Sequence, residues 1–522
     1  MSPPIFTFKS PDTLRNLDLK ELFRARSTIS TRDRQTIKQY LKDVEDDVRR
    51  CETEEKNLLA AMKMLESRRK GLEKSMELYR SLLSPIHKLP PEILSNIFKE
   101  CCEYNELNYD LSRPEAMSLS MVCGRWRDIV LSTPALWSNL RLEAASLKIK
   151  EEQRPAGEAE TPLAEMVNLF MERSKKMPLT LEIIQCDLSY PVEPIFAAFD
   201  VLVRNMDRWL DVTFWSHRLC ERLPARRHLP ILKNLDVSWS VDIKPDTFSN
   251  CPALTSVECC PVLHCDLLLP WGRVKVLTLS NSNAEDSLSI LSKCHELERL
   301  ELDSIGDESD ELQGVGSISL PRLHSLSLRS FYEPRTMFVF HSAKLPSLST
   351  LIFSGYTNGS RGWASPRVIP SIEAFLLRSQ CTITSLTVEV QEIDDHQTLA
   401  LLRLLPTLET LVLRETRNNH RIFTSHFLKW FTVEDGTLSS SPAFLPRLSD
   451  LTLTVLDKWL DAEALSSAIV SRWKPAPECH VESLRSVDLT VDVFGHTANW
   501  RQLRWLENLR ATGLRFTLSL YP

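Results

Sequence analysis

A short leucine pattern, L-x-x-L-x-L, recurs along the C-terminal part of this 522-residue chain. Clear copies are LPRLHSLSL from Leu320, LPTLETLVL from Leu405 and LPRLSDLTL from Leu445. The x-L-x-L alternation buries one side of a strand and exposes the other. The Pro ahead of the first Leu lacks an N–H donor and keeps the preceding residue out of the helical region. Each copy therefore predicts the end of one connection and the start of a new strand.

The copies repeat at irregular intervals. Their first apolar residues stand at positions 232, 254, 274, 297, 323, 348, 383, 408, 448 and 484. Helical stretches such as EDSLSILSKC and DAEALSSAIVSRW lie between them. PLTLEI, RWLDVTF and GLRFTLSL are further predicted strands. A repeated strand and helix predict a solenoid with strands on one face and helices on the other.

The pattern resembles leucine-rich repeats, with one departure. The Asn or Cys expected after the third apolar position is largely absent. The equivalent residues include Ile305, Phe331, Tyr356 and Leu456. We therefore expect an irregular solenoid.

A long charged stretch precedes the repeats. From Ile37 to Leu83 the chain has one Gly and no Pro. Apolar residues recur every seven positions at Ile37, Val44, Cys51, Leu58, Leu65, Leu72 and Tyr79. A second series runs through Leu41, Val48, Met62, Met76 and Leu83, and is interrupted by Glu55 and Arg69. This heptad pattern predicts a long helix that either self-associates as a coiled coil or packs on its own chain.

Two amphipathic helices follow. Two prolines open the first, in LPPEILSNIF, because a first helical turn needs no N–H donors from them. The second lies in SMVCGRWRDIVL, after an irregular insert, and leads to a final Leu-Trp pair. Two short helices have too little apolar surface to form a stable core by themselves. We therefore expect some of their apolar side chains to contact a partner or the next domain.

These two helices resemble the F-box. The matching residues are Leu89, Pro90, Glu92, Ile93, Leu94, Ile97, Phe98, Val122, Cys123, Trp126, Arg127, Leu136 and Trp137. The long insert, and the coil just before the motif, are similar to F-box proteins of mushroom-forming fungi. The resemblance implies docking on a Skp-type adaptor, and through it on a cullin–RING (SCF-type) ubiquitin ligase. The implied adaptor-binding residues are Leu89, Pro90, Pro91, Ile93, Leu94, Ile97, Phe98, Val122, Cys123, Trp126 and Trp137.

Composition excludes several other classes. The net charge of −6 gives no positive field for nucleic acid, and no apolar run is long enough for a membrane span. The N-terminus is a poor signal peptide, and the 13 cysteines are typical of a reducing cytoplasm or nucleus. No Gly-rich phosphate loop or hydrolase motif occurs, so we predict no enzyme activity and no cofactor.

One cysteine cluster is the best metal candidate. It groups Cys251, Cys259, Cys260 and Cys265 with His264. Cys259 occupies an apolar position of a repeat strand, and paired C-x-x-C spacing is missing. We therefore interpret these residues as core and predict no metal.

The outward x positions of the repeats are predicted to hold a protein substrate. They mix acid, base and hydroxyl; the residues assigned to the substrate are Glu301, Asp303, Ser327, Arg329 and Arg414. The alternatives are a binding scaffold unconnected with ubiquitin and, ranked last, an enzyme with a site in the repeats. Adaptor binding separates the receptor from the scaffold.

The sequence thus predicts an α/β protein in five parts. They are an N-terminal tail (1–33), a helix or coiled coil (34–84), a small α-helical F-box (85–142), a polar linker (143–162) and an irregular leucine-rich-repeat-like solenoid (163–522).

Overall fold

A computed structural model provides the structure of the chain. It describes residue 24 and residues 29–108, 113–143, 161–184, 193–216, 218–240, 242–280, 284–303, 317–329, 333–355, 367–390, 393–416, 421–433, 443–493 and 499–521. The predicted tail and linker lie almost entirely outside these ranges, as do Ile305, Phe331 and Tyr356. The chain divides into two compact units, Met1–Pro90 and Pro91–Pro522.

The first unit contains the predicted long helix. Helix α1 spans Thr31–Leu82, and a 3-10 turn follows at Pro85–Lys88. At 1.5 Å per residue, 52 helical residues extend for about 80 Å. The helix ends just before Pro85, as expected from the restriction that Pro places on the residue before it.

The second unit alternates helices and strands. Its helices are α2 (Pro91–Cys101), α3 (Glu115–Ser120), α4 (Gly124–Ser132), α5 (Thr161–Ser174), α6 (Glu193–Arg204), α7 (Pro261–His264), α8 (Ala284–Leu291), α9 (Glu333–Ser342), α10 (Val368–Ser379), α11 (Asp395–Arg403), α12 (Ser425–Phe431) and α13 (Ala462–Trp473). Its strands are β1 (Asn105–Asn108), β2 (Asn139–Glu143), β3 (Leu179–Ile184), β4 (Trp209–Trp215), β5 (Asn234–Asp236), β6 (Ser256–Cys259), β7 (Val276–Ser280), β8 (Arg299–Asp303), β9 (Ile318–Ser319), β10 (Ser325–Arg329), β11 (Ala343–Lys344), β12 (Thr350–Gly355), β13 (Ser385–Val390), β14 (Thr410–Arg414), β15 (Asp450–Leu456), β16 (Ser486–Asp492) and β17 (Arg515–Tyr521).

Fifteen of these strands form one parallel sheet in the order of the chain. Each strand pairs with the next, apart from β9 and β11, which form a separate two-stranded pair. Every quoted copy of the leucine pattern supplies a strand of the large sheet. The predicted α/β class is therefore confirmed, and the strands of the large sheet are parallel.

The repeated leucines form the core of this sheet. One residue from each repeat strand lies level with its neighbours in an unbroken row: Leu235, Val257, Leu277, Leu300, Leu326, Leu351, Leu386, Leu411, Leu451, Val487 and Phe516. All of them are buried. Because side chains alternate across a strand, the residues on either side of this row point away from the core.

The F-box-like region differs from the sequence prediction. That region was described as α-helical, but it also contributes β1 and β2, the first two strands of the large sheet. Strand β2 continues the pairing into β3 of the repeats. The sequence of β1, NELN, is mostly polar and does not predict a strand, but its alternate residues Asn105 and Leu107 are buried. None of the helices in the described ranges is long and apolar enough to cross a bilayer.

Candidate functional site

Helix α2 carries apolar side chains on two of its sides. Leu94 and Phe98 are buried, whereas Ile93 and Ile97 are 46% and 39% exposed. Pro91 is the first residue of the helix, where its missing N–H costs nothing. The inward pair belongs to the core of the second unit. The outward pair exposes apolar side chains, which are suited to contact with another apolar surface.

Trp126 holds α2 against α4. Its ring lies 4.7 Å from the ring of Phe98, at a tilted angle that aromatic pairs favour. Ser95 of α2 and Thr133 after α4 lie 3.4 Å apart, within reach of a hydrogen bond. Trp126 is half-buried, so most of its role is packing between the two helices.

Trp137 is fully buried at the end of the F-box-like region. Its indole N–H donates to the backbone carbonyl of Val130 at 2.9 Å. Its ring meets the edge of Phe170 at 5.0 Å, and the Arg173 guanidinium lies 4.4 Å from its centre. Phe170 and Arg173 belong to α5, so Trp137 joins this region to the helix that follows it. The Trp137 side chain is therefore part of the core and offers no exposed surface.

The loop before α4 presents two more apolar side chains to solvent. Met121 and Val122 are 56% and 59% exposed, and they follow directly after α3. Cys123 is half-buried at the start of α4. Val122 was among the predicted contact residues. Met121 was missed, because a Met in an apolar run does not reveal which way it points.

The predicted contact residues belong to both units of the chain. In the first unit Leu89 is half-buried and Pro90 is exposed; in the second unit Pro91 is exposed. The eleven predicted residues thus divide into outward side chains (Pro90, Pro91, Ile93, Ile97 and Val122), half-buried ones (Leu89, Cys123 and Trp126) and buried ones (Leu94, Phe98 and Trp137).

A buried amide supports the insert between the two F-box helices. The side chain of Asn105 donates to the carbonyls of Leu136 and Asn139 at 2.9 and 3.0 Å, and it accepts from the N–H of Ala116 at 3.0 Å. Asn105 is completely buried. It ties β1 to the start of α3 and to the turn before β2. Sequence analysis missed it, since a lone Asn in a polar segment usually indicates a loop.

The outward face of the sheet is a second candidate surface. Arg329 forms an ion pair with Glu301 at 2.5 Å, and Arg414 pairs with Glu389 at 3.1 Å. Ser327 lies level with Glu301 on the neighbouring strand. Asp303, two residues beyond Glu301, faces the same way.

Carboxylates collect on one part of this face. Asp236, Glu258, Thr278 and Glu301 lie level on β5, β6, β7 and β8. Burial, and then the charge of Asp236, raises the pKa of Glu258 to about 7. These acids are far apart in the sequence, but the strand register brings them onto neighbouring strands. We call Asp236, Glu258 and Glu301 the acidic group.

Two exposed tryptophans stand beside the acidic group. Trp215, at the end of β4, and Trp239, just after β5, are 41% and 65% exposed, and their rings lie 6.4 Å apart. The outward position of Trp215 is two residues beyond Thr213, which lies level with Asp236. Strand β5 ends at Asp236, and Trp239 lies beyond its end with its side chain exposed to solvent.

Three thiols of the cysteine cluster are buried, those of Cys251, Cys259 and Cys260, whereas Cys265 is half-buried. The imidazole Nδ1 of His264 lies 2.9 Å from the backbone carbonyl of Cys260. Burial raises the pKa of Cys251 to about 12 and that of Cys259 well above its usual range. A thiol binds metal as thiolate, so these positions disfavour ligation.

Within the described ranges, one other group of side chains brings possible metal-ligand atoms within 4.8 Å of one another. It consists of Asp395, His396 and His426. The Asp395 carboxylate already accepts hydrogen bonds from the Thr424 hydroxyl and from the backbone N–H of His396. These bonds account for its position at the start of α11.

Comparisons with known proteins bear on the first candidate surface. Residues 86–143 match a family model described as F-box-like. No curated protein matches the chain. A crystal structure of a Bacteroides fragilis protein resembles 70% of this chain and 83% of its own length, at 10% sequence identity and a TM-score of 0.31. The matched range ends with the last residue of β2. The chain therefore carries an F-box-like domain over residues 86–143.

Proposed function

We propose that the chain is the substrate receptor of a cullin–RING ubiquitin ligase of the SCF type. Its F-box-like domain would dock on a Skp-type adaptor, and the sheet would hold a protein substrate. The observation that carries the proposal is the exposure of Ile93, Ile97, Met121 and Val122 within the matched domain. Exposed apolar side chains grouped in one small domain are suited to a partner of apolar surface. The chain itself would perform no catalysis.

The residues that dock are the outward ones. Buried apolar anchors at interfaces commonly cost about 2 kcal/mol or more on truncation, which is about a 30-fold loss of affinity. Replacing Ile93, Ile97 and Val122 together by Ser should abolish co-purification with the adaptor. The substitutions fall on exposed positions, so the domain should stay folded.

A matched control separates docking from general loss of apolar surface. Leu377 on α10 is 73% exposed and lies outside the matched domain. Leu377→Ser should bind the adaptor as the unaltered chain does. Equal binding by the triple variant would exclude this docking surface, provided that both variants unfold at the temperature of the parent.

We assign the substrate to the outward strand face. Support comes from the sheet order, which places successive repeat strands side by side and favours a leucine-rich-repeat-like solenoid with an extended binding face. The residues predicted to contact the substrate, Glu301, Asp303, Ser327, Arg329 and Arg414, all lie on β8, β10 and β14. The acidic group and the two tryptophans extend this surface toward β4.

Aromatic faces beside carboxylates favour a cationic partner. Lys and Arg side chains bind both ring faces and carboxylates, at a combined strength of a few kcal/mol when desolvated. The substrate would therefore present a basic segment to β4–β8. Fluorescence polarisation with a basic and an acidic synthetic peptide should show binding of the basic one alone. The double variant Trp215→Ser, Trp239→Ser should lose it, while Trp430→Ser, at an exposed tryptophan elsewhere, should retain it.

A binding scaffold without ubiquitin chemistry is the second candidate. It is favoured by the inward position of Leu94, Phe98 and Trp137 and by the pairing of β1 and β2 with the repeats. In that function the F-box-like helices would seal the first strand of the sheet. A folded chain that fails to bind any Skp-type adaptor would favour it. Two further points stay predictions: the similarity to F-box proteins of mushroom-forming fungi, and a location in the cytoplasm or nucleus.

A further inference from the structure

Helix α1 carries an apolar seam that its own unit leaves open over residues 29–90. Leu58, Leu65 and Leu72, for example, are 62%, 68% and 63% exposed. Fully burying a side chain of this size is worth about 1.5–3 kcal/mol. A helix of 52 residues with such a seam is expected to gain stability from a second helix laid along it.

The seam consists of two interleaved series. One runs through Ile37, Val44, Cys51, Leu58, Leu65, Leu72 and Tyr79. The other runs through Leu41, Val48, Glu55, Met62, Arg69, Met76 and Leu83. The second series contains the only two charges of the seam, an acid at 55 and a base at 69. These two positions identify the kind of helix that fits.

A parallel pair of α1 helices would set each charge against its own copy. Equivalent residues lie level in a parallel pair, so Glu55 would face Glu55 of the second copy and Arg69 would face Arg69. Like charges in a partly desolvated seam repel. The seam therefore disfavours the parallel arrangement.

An antiparallel pair relieves both charges. If residue 37 of one copy lies level with residue 83 of the other, each position of one series falls level with a position of the other series along the whole seam. Arg69 is then level with Cys51 of the second copy, and Glu55 lies four residues, about 6 Å, further along the axis. Glu55 and Arg69 of opposite copies come within reach of an ion pair, twice per dimer.

The flanks of the seam act against this arrangement, but weakly. Glu45, Glu52, Glu66 and Glu73 lie beside the seam on one side and would approach their counterparts across the antiparallel pair. Exposed like-charge pairs cost only a few tenths of a kcal/mol each, and salt screens them. Arg69 already lies 3.9 Å from Glu73 within its own helix, which offsets part of that charge.

The amount of apolar surface is sufficient. The seam holds twelve apolar side chains, seven in one series and five in the other. At about 60–120 Å² for each, on the order of 1,000 Å² would be covered per helix. Specific interfaces commonly bury about 800 Å² per partner.

We propose that α1 pairs with α1 of a second copy as a full-length antiparallel coiled coil, held in register by Glu55 and Arg69. The two residue-83 ends would then lie about 70 Å apart. Each F-box-like domain follows such an end in the sequence, so one dimer would carry two of these domains.

Cysteine crosslinking in the full chain tests the orientation. Cys51 lies in the seam and is exposed in the single helix. Under mild oxidation, Arg69→Cys should form a disulfide between Cys51 and residue 69 of the second copy, identified by peptide mass spectrometry. The unaltered chain should give no Cys51–Cys51 link, since those sulfurs would be about 27 Å apart along the axis. A Cys51–Cys51 link would establish the parallel pair and overturn the proposal.

A charge exchange tests the register independently. Glu55→Arg should weaken the dimer at least tenfold in sedimentation equilibrium, because the introduced guanidinium would then approach Arg69 of the other copy. Adding Arg69→Glu should restore it. Glu77→Arg, a matched change off the seam, should leave it intact. A full chain that stays monomeric at about 50 µM, above ordinary micromolar dissociation constants, would also overturn the proposal.

Discussion

The indole N–H of Trp137 donates to the carbonyl of Val130, and this bond fixes the ring within the F-box-like domain, where it faces α5. The same ring contacts Phe170 and the Arg173 guanidinium. Trp137 thus stabilises the junction through which the domain continues into the parallel sheet.

Removing the Trp137 ring should destabilise the fold strongly. Trp137→Ala should lower the free energy of unfolding by about 3–5 kcal/mol, because it opens a cavity and removes one of the two N–H donors to the Val130 carbonyl. Urea unfolding measures the change. Trp505→Ala, at a tryptophan that is 47% exposed, serves as the control and should cost less than about 1 kcal/mol.

The milder change Trp137→Phe separates a packing role from a docking role. It keeps most of the ring contacts and should cost about 1–3 kcal/mol. While the variant is still folded, its affinity for the adaptor should equal that of the parent. A folded Trp137→Phe chain that has lost adaptor binding would place Trp137 in the interface after all.

Asn105 should be as important as an apolar core residue. Asn105→Ala removes three hydrogen bonds, two of them buried and one part-buried. We expect a loss of about 2–4 kcal/mol. Hydrogen exchange should show earliest opening at Ala116. Asn139→Ala, whose side chain makes a single exposed bond to Glu103, is the control. Similar losses for both variants would contradict the assigned role.

Glu258 makes stability depend on pH. Burial and Asp236 raise its folded pKa to about 7 from 4.5, so the folded state favours the protonated acid. The contribution of Glu258 to stability is therefore greatest below about pH 4.5, falls as pH rises toward 7, and stays reduced above it. The carboxyl keeps contact with water, so we expect about 1–2 kcal/mol, less than the full pKa difference implies.

Glu258→Gln should remove this dependence. The variant should melt several degrees above the parent at pH 8, and the difference should vanish near pH 4. Thermal unfolding across that range measures it. A variant that is less stable than the parent at pH 8 would mean that the charged carboxylate is stabilised by contacts stronger than its burial.

The alternation of leucines predicted the strands of the sheet because the buried leucines form its core. Leu326 and Leu351 lie level on adjacent strands, and both are buried. Each belongs to an alternating x-L-x-L segment, which predicts a strand without reference to the neighbouring repeat. Strand β1 escaped prediction because its residues, NELN, become strand-like only through contacts with β2 and through the buried side chain of Asn105.

The candidate site was predicted by residue type but not by direction. The pattern brought Ile93, Leu94, Ile97 and Phe98 together, yet burial divides them into an outward and an inward pair. Which side of α2 meets the core depends on α4, whose Trp126 packs on Phe98. A motif cannot supply that information, because it records apolar character without the neighbouring helix.

Adaptor binding by the outward side chains is tested most directly by titration calorimetry. The purified full chain should bind a recombinant Skp-type adaptor with one adaptor per chain. The heat-capacity change should be negative, as burial of apolar surface requires. The triple variant Ile93→Ser, Ile97→Ser, Val122→Ser should give no binding heat, while Leu377→Ser should match the parent. Absence of heat with the parent chain, or equal affinity of the triple variant, would contradict the account.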